Sequence, residues 1–113
     1  KPTYLMCVNP LLPEHNGFIL HTKEPQILAE IFSFDKMDIK GMNDLKMQGY
    51  QLGAETTHKD ITYVLVSDYK IDTTSLSREQ AQAKANRLAG LMRRMADWWL
   101  SVLIQLEKND AKN

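Results

Sequence analysis

The 113-residue chain is predicted to adopt an α+β fold. We expect an antiparallel sheet of about four to five strands, a short helix inserted before the last hairpin, and a long C-terminal amphipathic helix packed on one face. Three observations predict it. Residues 74–109 read as one long helical segment ending in the nearly all-apolar run Trp98-Trp99-Leu100-Ser101-Val102-Leu103-Ile104-Gln105-Leu106. Residues 50–70 alternate like two strands about a tight turn, and the first third holds short β-rich runs separated by Pro, Gly and Asn.

Taken in order, Tyr4–Val8 is a short apolar strand ended by Asn9-Pro10 and Pro13, with a turn over Glu14–Gly17. Gly17–Thr22 is a second strand. Gln26–Phe34 fits either period, because Ile27, Leu28, Ile31 and Phe32 recur at helical spacing while the short Lys23-Glu24-Pro25 connection suits a hairpin; we assign a strand. Asp38–Gln48, with Ile39, Met42, Leu45 and Met47 apolar and Gly49 beyond, is a short helix with a glycine stop. Tyr50–Thr57 and Ile61–Lys70 form the clearest hairpin. The second of these strands places Ile61, Tyr63, Leu65 and Tyr69 on one face and Val64 and Val66 on the other, so it is expected inside the sheet.

The long helix opens on Ser77 and Gln80, at capping-box spacing, with Thr74 or Ser75 as alternative caps. Steps of 100° put Ala81, Ala85, Leu88, Met92, Met95, Trp99, Val102, Leu103 and Leu106 on one stripe, which should cover the sheet. Such a helix is longer than a strand of ordinary length. Its excess must overhang, bend at Gly90, or be covered by another chain. Trp98, Leu100 and Ile104 lie off the stripe, so the helix end carries more apolar surface than one face uses. Trp98, Trp99, Leu100, Val102, Leu103, Ile104 and Leu106 are therefore the expected interface, with a second copy of the chain as its expected partner and Leu11 and Leu12 of the N-terminal arm as the intramolecular alternative.

Composition bounds the function. Hydrophobic residues are 43% and charged residues 25%, ordinary for a globular chain, and residues 1–113 read as a single domain, with 1–73 forming the sheet and inserted helix and 74–109 the long helix. The lone Cys7 cannot form an internal disulfide, no run approaches the length needed to cross a bilayer, and the N-terminus lacks a secretory layout, so a cytoplasmic protein without membrane contact is expected. The zero net charge divides into −3 for residues 1–77 and +3 for residues 78–113. Pairing of the helix with its own sheet accounts for this.

Chemistry is sparse. His15, His21 and His58 lack metal-ligand spacing, His58 has only Asp60 nearby, and Cys7 sits in an apolar run, so no catalytic residue, metal or cofactor is assigned. Asp35, Asp38 and Asp44 surround the start of the short helix, where the helix dipole explains Asp35 and Asp38. A catalytic reading would require a concave site containing two or more of Cys7, His15, His21, Glu30 and His58. The leading expectation is a small non-enzymatic protein-binding or regulatory protein, acting as a homodimer through its C-terminal helix. Nucleic-acid binding is the alternative: residues 78–94 carry five basic groups and one acidic group, with Arg87 and Arg94 seven apart, Arg93 and Lys84 beside them, and Tyr50, Tyr63 or Tyr69 available to stack bases from an open sheet face. A whole-chain pI near 7.0 weighs against it.

Overall fold

A computed structural model describes residues 1–12 and 15–111; Pro13 and Glu14, which the sequence reading assigns to a strand end and a turn, lie outside them. Strands β1 (Tyr4–Cys7), β2 (Phe18–His21) and β3 (Ile27–Asp35) are followed by helix α1 (Ile39–Lys46), strands β4 (Leu52–His58) and β5 (Ile61–Ser67), and helix α2 (Arg78–Ala111). The five strands form one antiparallel sheet in the order β1-β2-β3-β5-β4. The chain leaves β3 through α1, runs out to the far edge as β4, and returns by a two-residue turn so that β5 fills the gap beside β3. In that turn Lys59 takes a left-handed conformation at φ 56°.

The register sorts side chains onto two faces. Ile19 lies opposite Ala29, Ile31 opposite Leu65, and Leu65 opposite Ala54. This row faces α2 and joins Leu88, Leu91, Met92, Met95, Ala96 and Trp99 in the main core. Ile19, Ile27, Ile31, Leu65, Met92 and Met95 are fully buried there, each contributing roughly 1.5–3 kcal/mol by leaving water. On the opposite face Val64 and Val66 join Met42 and Leu45 of α1 in a smaller core, flanked by Phe32, Phe34 and Tyr50. On this face α1 covers β3 and β5, His15 stacks on Phe18 of β2, and Leu5 and Leu28 stay exposed.

Caps fall where local chemistry puts them. Ser77 and Gln80 exchange hydrogen bonds of 3.1 and 2.9 Å, completing the capping box, and Asp38 Oδ1 accepts the Gly41 N–H at 2.9 Å at the start of α1. After α1 the chain turns through Gly49 at φ 85°, a conformation costly for a residue with a Cβ. Burial along α2 is confined to its middle: from Arg78 to Arg87 every residue is exposed or half-buried, and Ile104 to Ala111 are exposed. A 34-residue helix is about 51 Å long, so both ends extend past the residues that hold it to the sheet.

Candidate functional site

The seven expected interface residues separate on folding. Trp99 is 6% exposed and packs edge-on against Tyr63 of β5, with ring centroids 5.7 Å apart. Trp98 turns the other way, onto Tyr4 of β1 at 5.4 Å. Val102 and Leu103 are half-buried against the main core, and Leu100 is half-buried. Ile104 at 38% and Leu106 at 53% remain exposed. Leu11 and Leu12 are exposed as well, so neither leucine covers the helix end.

A second apolar surface lies on the other side of the sheet. Leu5 is paired with Leu20 and Leu20 with Leu28, so three leucines form one cross-strand row over β1, β2 and β3. Leu5 is 43% and Leu28 48% exposed, and Val8 is exposed just beyond the end of β1. β1 is also an edge strand with no charged residue and no proline, features that ordinarily discourage pairing with another chain. The other edge, β4, carries Glu55, whose carbonyl oxygen accepts a 2.8 Å hydrogen bond from Arg93. The period-2 pattern of β2 and β3 carried this signal, but which face stays bare depends on where α1 lands.

The basic residues also part company. Arg87, Arg94 and Lys84 line a cleft of about 800 Å³ between α2 and the β2–β3 turn, where Lys23, His21 and Tyr69 join them. Arg93 is absent from this cleft, pairing with Asp97 at 3.2 Å while reaching Glu55. The three tyrosines do not share an open face. Tyr63 alternates with Val64 and so points under α2, where burial first and the Glu107 carboxylate second push its hydroxyl up from the ordinary value; Tyr50 packs beside α1 and Tyr69 against the main core.

His15 and Glu30 do meet, at 3.0 Å, but His15 Nδ1 accepts the Gly17 N–H at 2.8 Å, so both ring nitrogens are engaged and the ring stacks on Phe18. That arrangement ties the loop before β2 to β3. Gly17 itself, at φ 95°, lies so close to the Cys7 carbonyl that a Cβ would collide with it. Asp60 pairs with Lys36 at 3.2 Å rather than with His58, whose Nε2 lies 2.8 Å from Glu107 Oε1. Among the described residues no three His, Cys, Asp or Glu side chains are placed to hold a metal, and no helix is long and apolar enough to cross a membrane. No family model, curated protein or solved structure matches this chain.

Proposed function

We propose that the chain is a small, non-enzymatic protein-binding or regulatory protein of the cytoplasm that works as a homodimer. The observation that carries this reading is the Leu5–Leu20–Leu28 row, exposed at Leu5 and Leu28 and half-buried at Leu20, beside the uncharged outer edge of β1. A second copy suits it because the row is self-complementary: two copies related by a two-fold axis can lay these faces on one another and bury Leu5, Leu20 and Leu28 together. The chain's dimensions are in keeping with an incomplete unit. Its accessible surface of 7726 Å² exceeds the roughly 6,300 Å² typical of a compact monomer of this mass, and its 15.4 Å radius of gyration exceeds the usual ~13 Å. The lone thiol of Cys7 favours a reducing compartment.

The helix end is a second reading, favoured by the exposure of Ile104 and Leu106 beyond the part of α2 that the sheet covers. Isotope-filtered spectra of a mixed labelled and unlabelled sample distinguish the two. Intermolecular methyl contacts from Leu5, Leu20 and Leu28 are expected; contacts confined to Leu100, Ile104 and Leu106 would move the interface to the helix, and none from either set would reject the dimer.

A further inference from the structure

The cleft between α2 and the β2–β3 turn carries chemistry that self-association does not use. Four cations line it, Lys23, Lys84, Arg87 and Arg94, against a single carboxylate, Glu24. Among the described residues no acidic oxygen lies within 4.0 Å of Lys23, Arg87 or Arg94, whereas Arg93, their neighbour on the same helix, is paired. Lys84 donates to the Asp72 carbonyl at 2.7 Å and the Asp72 carboxylate beside it offsets part of its charge, which leaves Lys23, Arg87 and Arg94 as the uncompensated cations. Uncompensated cations gathered in a recess with low-dielectric walls create a field that draws in anions.

The geometry narrows the kind of anion. Arg87 and Arg94 are seven residues apart, two turns along one side of α2, and Gly90 stands between them. A Cβ at Gly90 would lie 3.5 Å from Arg94 Nη1, so the Arg94 guanidinium folds back over the helix at the one position without a side chain. Two guanidinium forks on one wall match the oxygens of a phosphate group, which each fork engages through paired N–H donors. Across the cleft, His21 is more than nine-tenths buried and its Nδ1 lies 2.8 Å from the Pro25 carbonyl. A carbonyl only accepts, so Nδ1 carries the hydrogen and the ring is held in one orientation, with Nε2 left to meet a ligand.

Size and surroundings favour a small molecule over a polymer. A volume of about 800 Å³ lies within the range of small-molecule pockets and is far larger than a lone phosphate needs. Apolar and aromatic groups, Leu88, Leu91 and Tyr69 among them, line the remainder. A nucleic-acid strand would require cations continuing past the cleft, but Arg93 is turned to the β4 side and the whole chain has zero net charge. We propose that this cleft binds a small organic phosphate, a phosphomonoester or diphosphate of sugar-phosphate to nucleotide size, with Arg87 and Arg94 clamping the phosphate and Lys23 completing its neutralisation.

The test is titration of the ¹⁵N-labelled full chain with adenosine 5′-monophosphate, ribose 5-phosphate, adenosine, inorganic phosphate and a twelve-residue oligothymidylate. Saturable shifts confined to Lys23, His21 and the 84–94 stretch are expected with at least one of the two organic phosphates, and affinity at least tenfold weaker for adenosine and for inorganic phosphate. The Arg87→Ala, Arg94→Ala double variant should lose at least tenfold in affinity; both side chains are exposed, and an unchanged amide spectrum elsewhere verifies its fold. The Lys double variant at the same positions, which keeps charge but not the fork, should fall between. Absence of saturable shifts with every phosphate, shifts centred elsewhere, equal affinity for inorganic phosphate, or undiminished binding by the alanine variant would each overturn the proposal. Tighter binding of the oligothymidylate with a steep salt dependence would replace it with a nucleic-acid site.

Discussion

Trp98 and Trp99, adjacent on α2, pack on opposite halves of the sheet: Trp98 against Tyr4 of the edge strand β1, Trp99 against Tyr63 of β5. The pair straddles the sheet beneath the helix, and the indole that matters more to folding is the one under the helix. Trp99→Ala is expected to destabilise the chain by about 3–5 kcal/mol, the usual cost of emptying a buried indole site. Trp98→Ala, at a half-buried site, should cost clearly less. Chemical denaturation of both variants checks the order, and equal losses would contradict it.

The N–H of Trp99 is buried and donates to no described residue. Trp99→Phe removes that donor while keeping an aromatic ring against Tyr63, so part of the lost packing is offset by the vanished desolvation penalty of about 1–3 kcal/mol. We expect less than half the loss seen for Trp99→Ala in the same denaturation experiment.

Asp38 and Gly41 should behave as one unit. Asp38→Ala removes the N-cap of α1 at an expected cost of about 0.5–2 kcal/mol. Gly41→Ala, ordinarily favourable inside a helix, would drive a methyl group into the Asp38 carboxylate. It is therefore expected to destabilise, and the double variant to cost less than the two singles combined. A double-mutant cycle measures this coupling, and simple additivity would refute it.

The end of α2 is latched by Glu107, which takes a 2.8 Å hydrogen bond from His58 and lies 3.2 Å from Lys59. The His58 hydrogen bond, aided by Lys59 and opposed by slight desolvation, holds the Glu107 carboxyl below its ordinary value of 4.5. A depressed folded value means that the latch stabilises fully above the unfolded value and is lost as pH falls through the folded one. The advantage of the wild type over Glu107→Gln should thus shrink as pH falls below about 4.5. Amide exchange over residues 104–111, followed against pH, reads it.

Local signals in the sequence reached as far as elements and caps. The Ser77–Gln80 box, the hairpin closed by Lys59 and Asp60, and the interior position of β5 were legible because each depends on residues within one or two turns of one another. The strand at residues 27–35 was ambiguous by periodicity, and only pairing with β2 and β5 decides it. The functional surfaces were less legible. That Trp99 would be covered and Leu5 and Leu28 left exposed depends on where α1 and α2 land, and that Lys23 and His21 meet Arg87 and Arg94 depends on a contact spanning more than sixty residues. No spacing in the sequence encodes such a meeting.

Self-association through the leucine row is the central claim, and solution mass by light scattering tests it most directly. The wild type should give twice the 13.0 kDa of one chain at micromolar concentration. Leu5→Asp and Leu28→Asp should each give a folded monomer, while Ile104→Asp paired with Leu106→Asp leaves the dimer intact. A monomeric wild type, or a dimer that survives both leucine substitutions and dissociates only in the helix variant, would contradict the account.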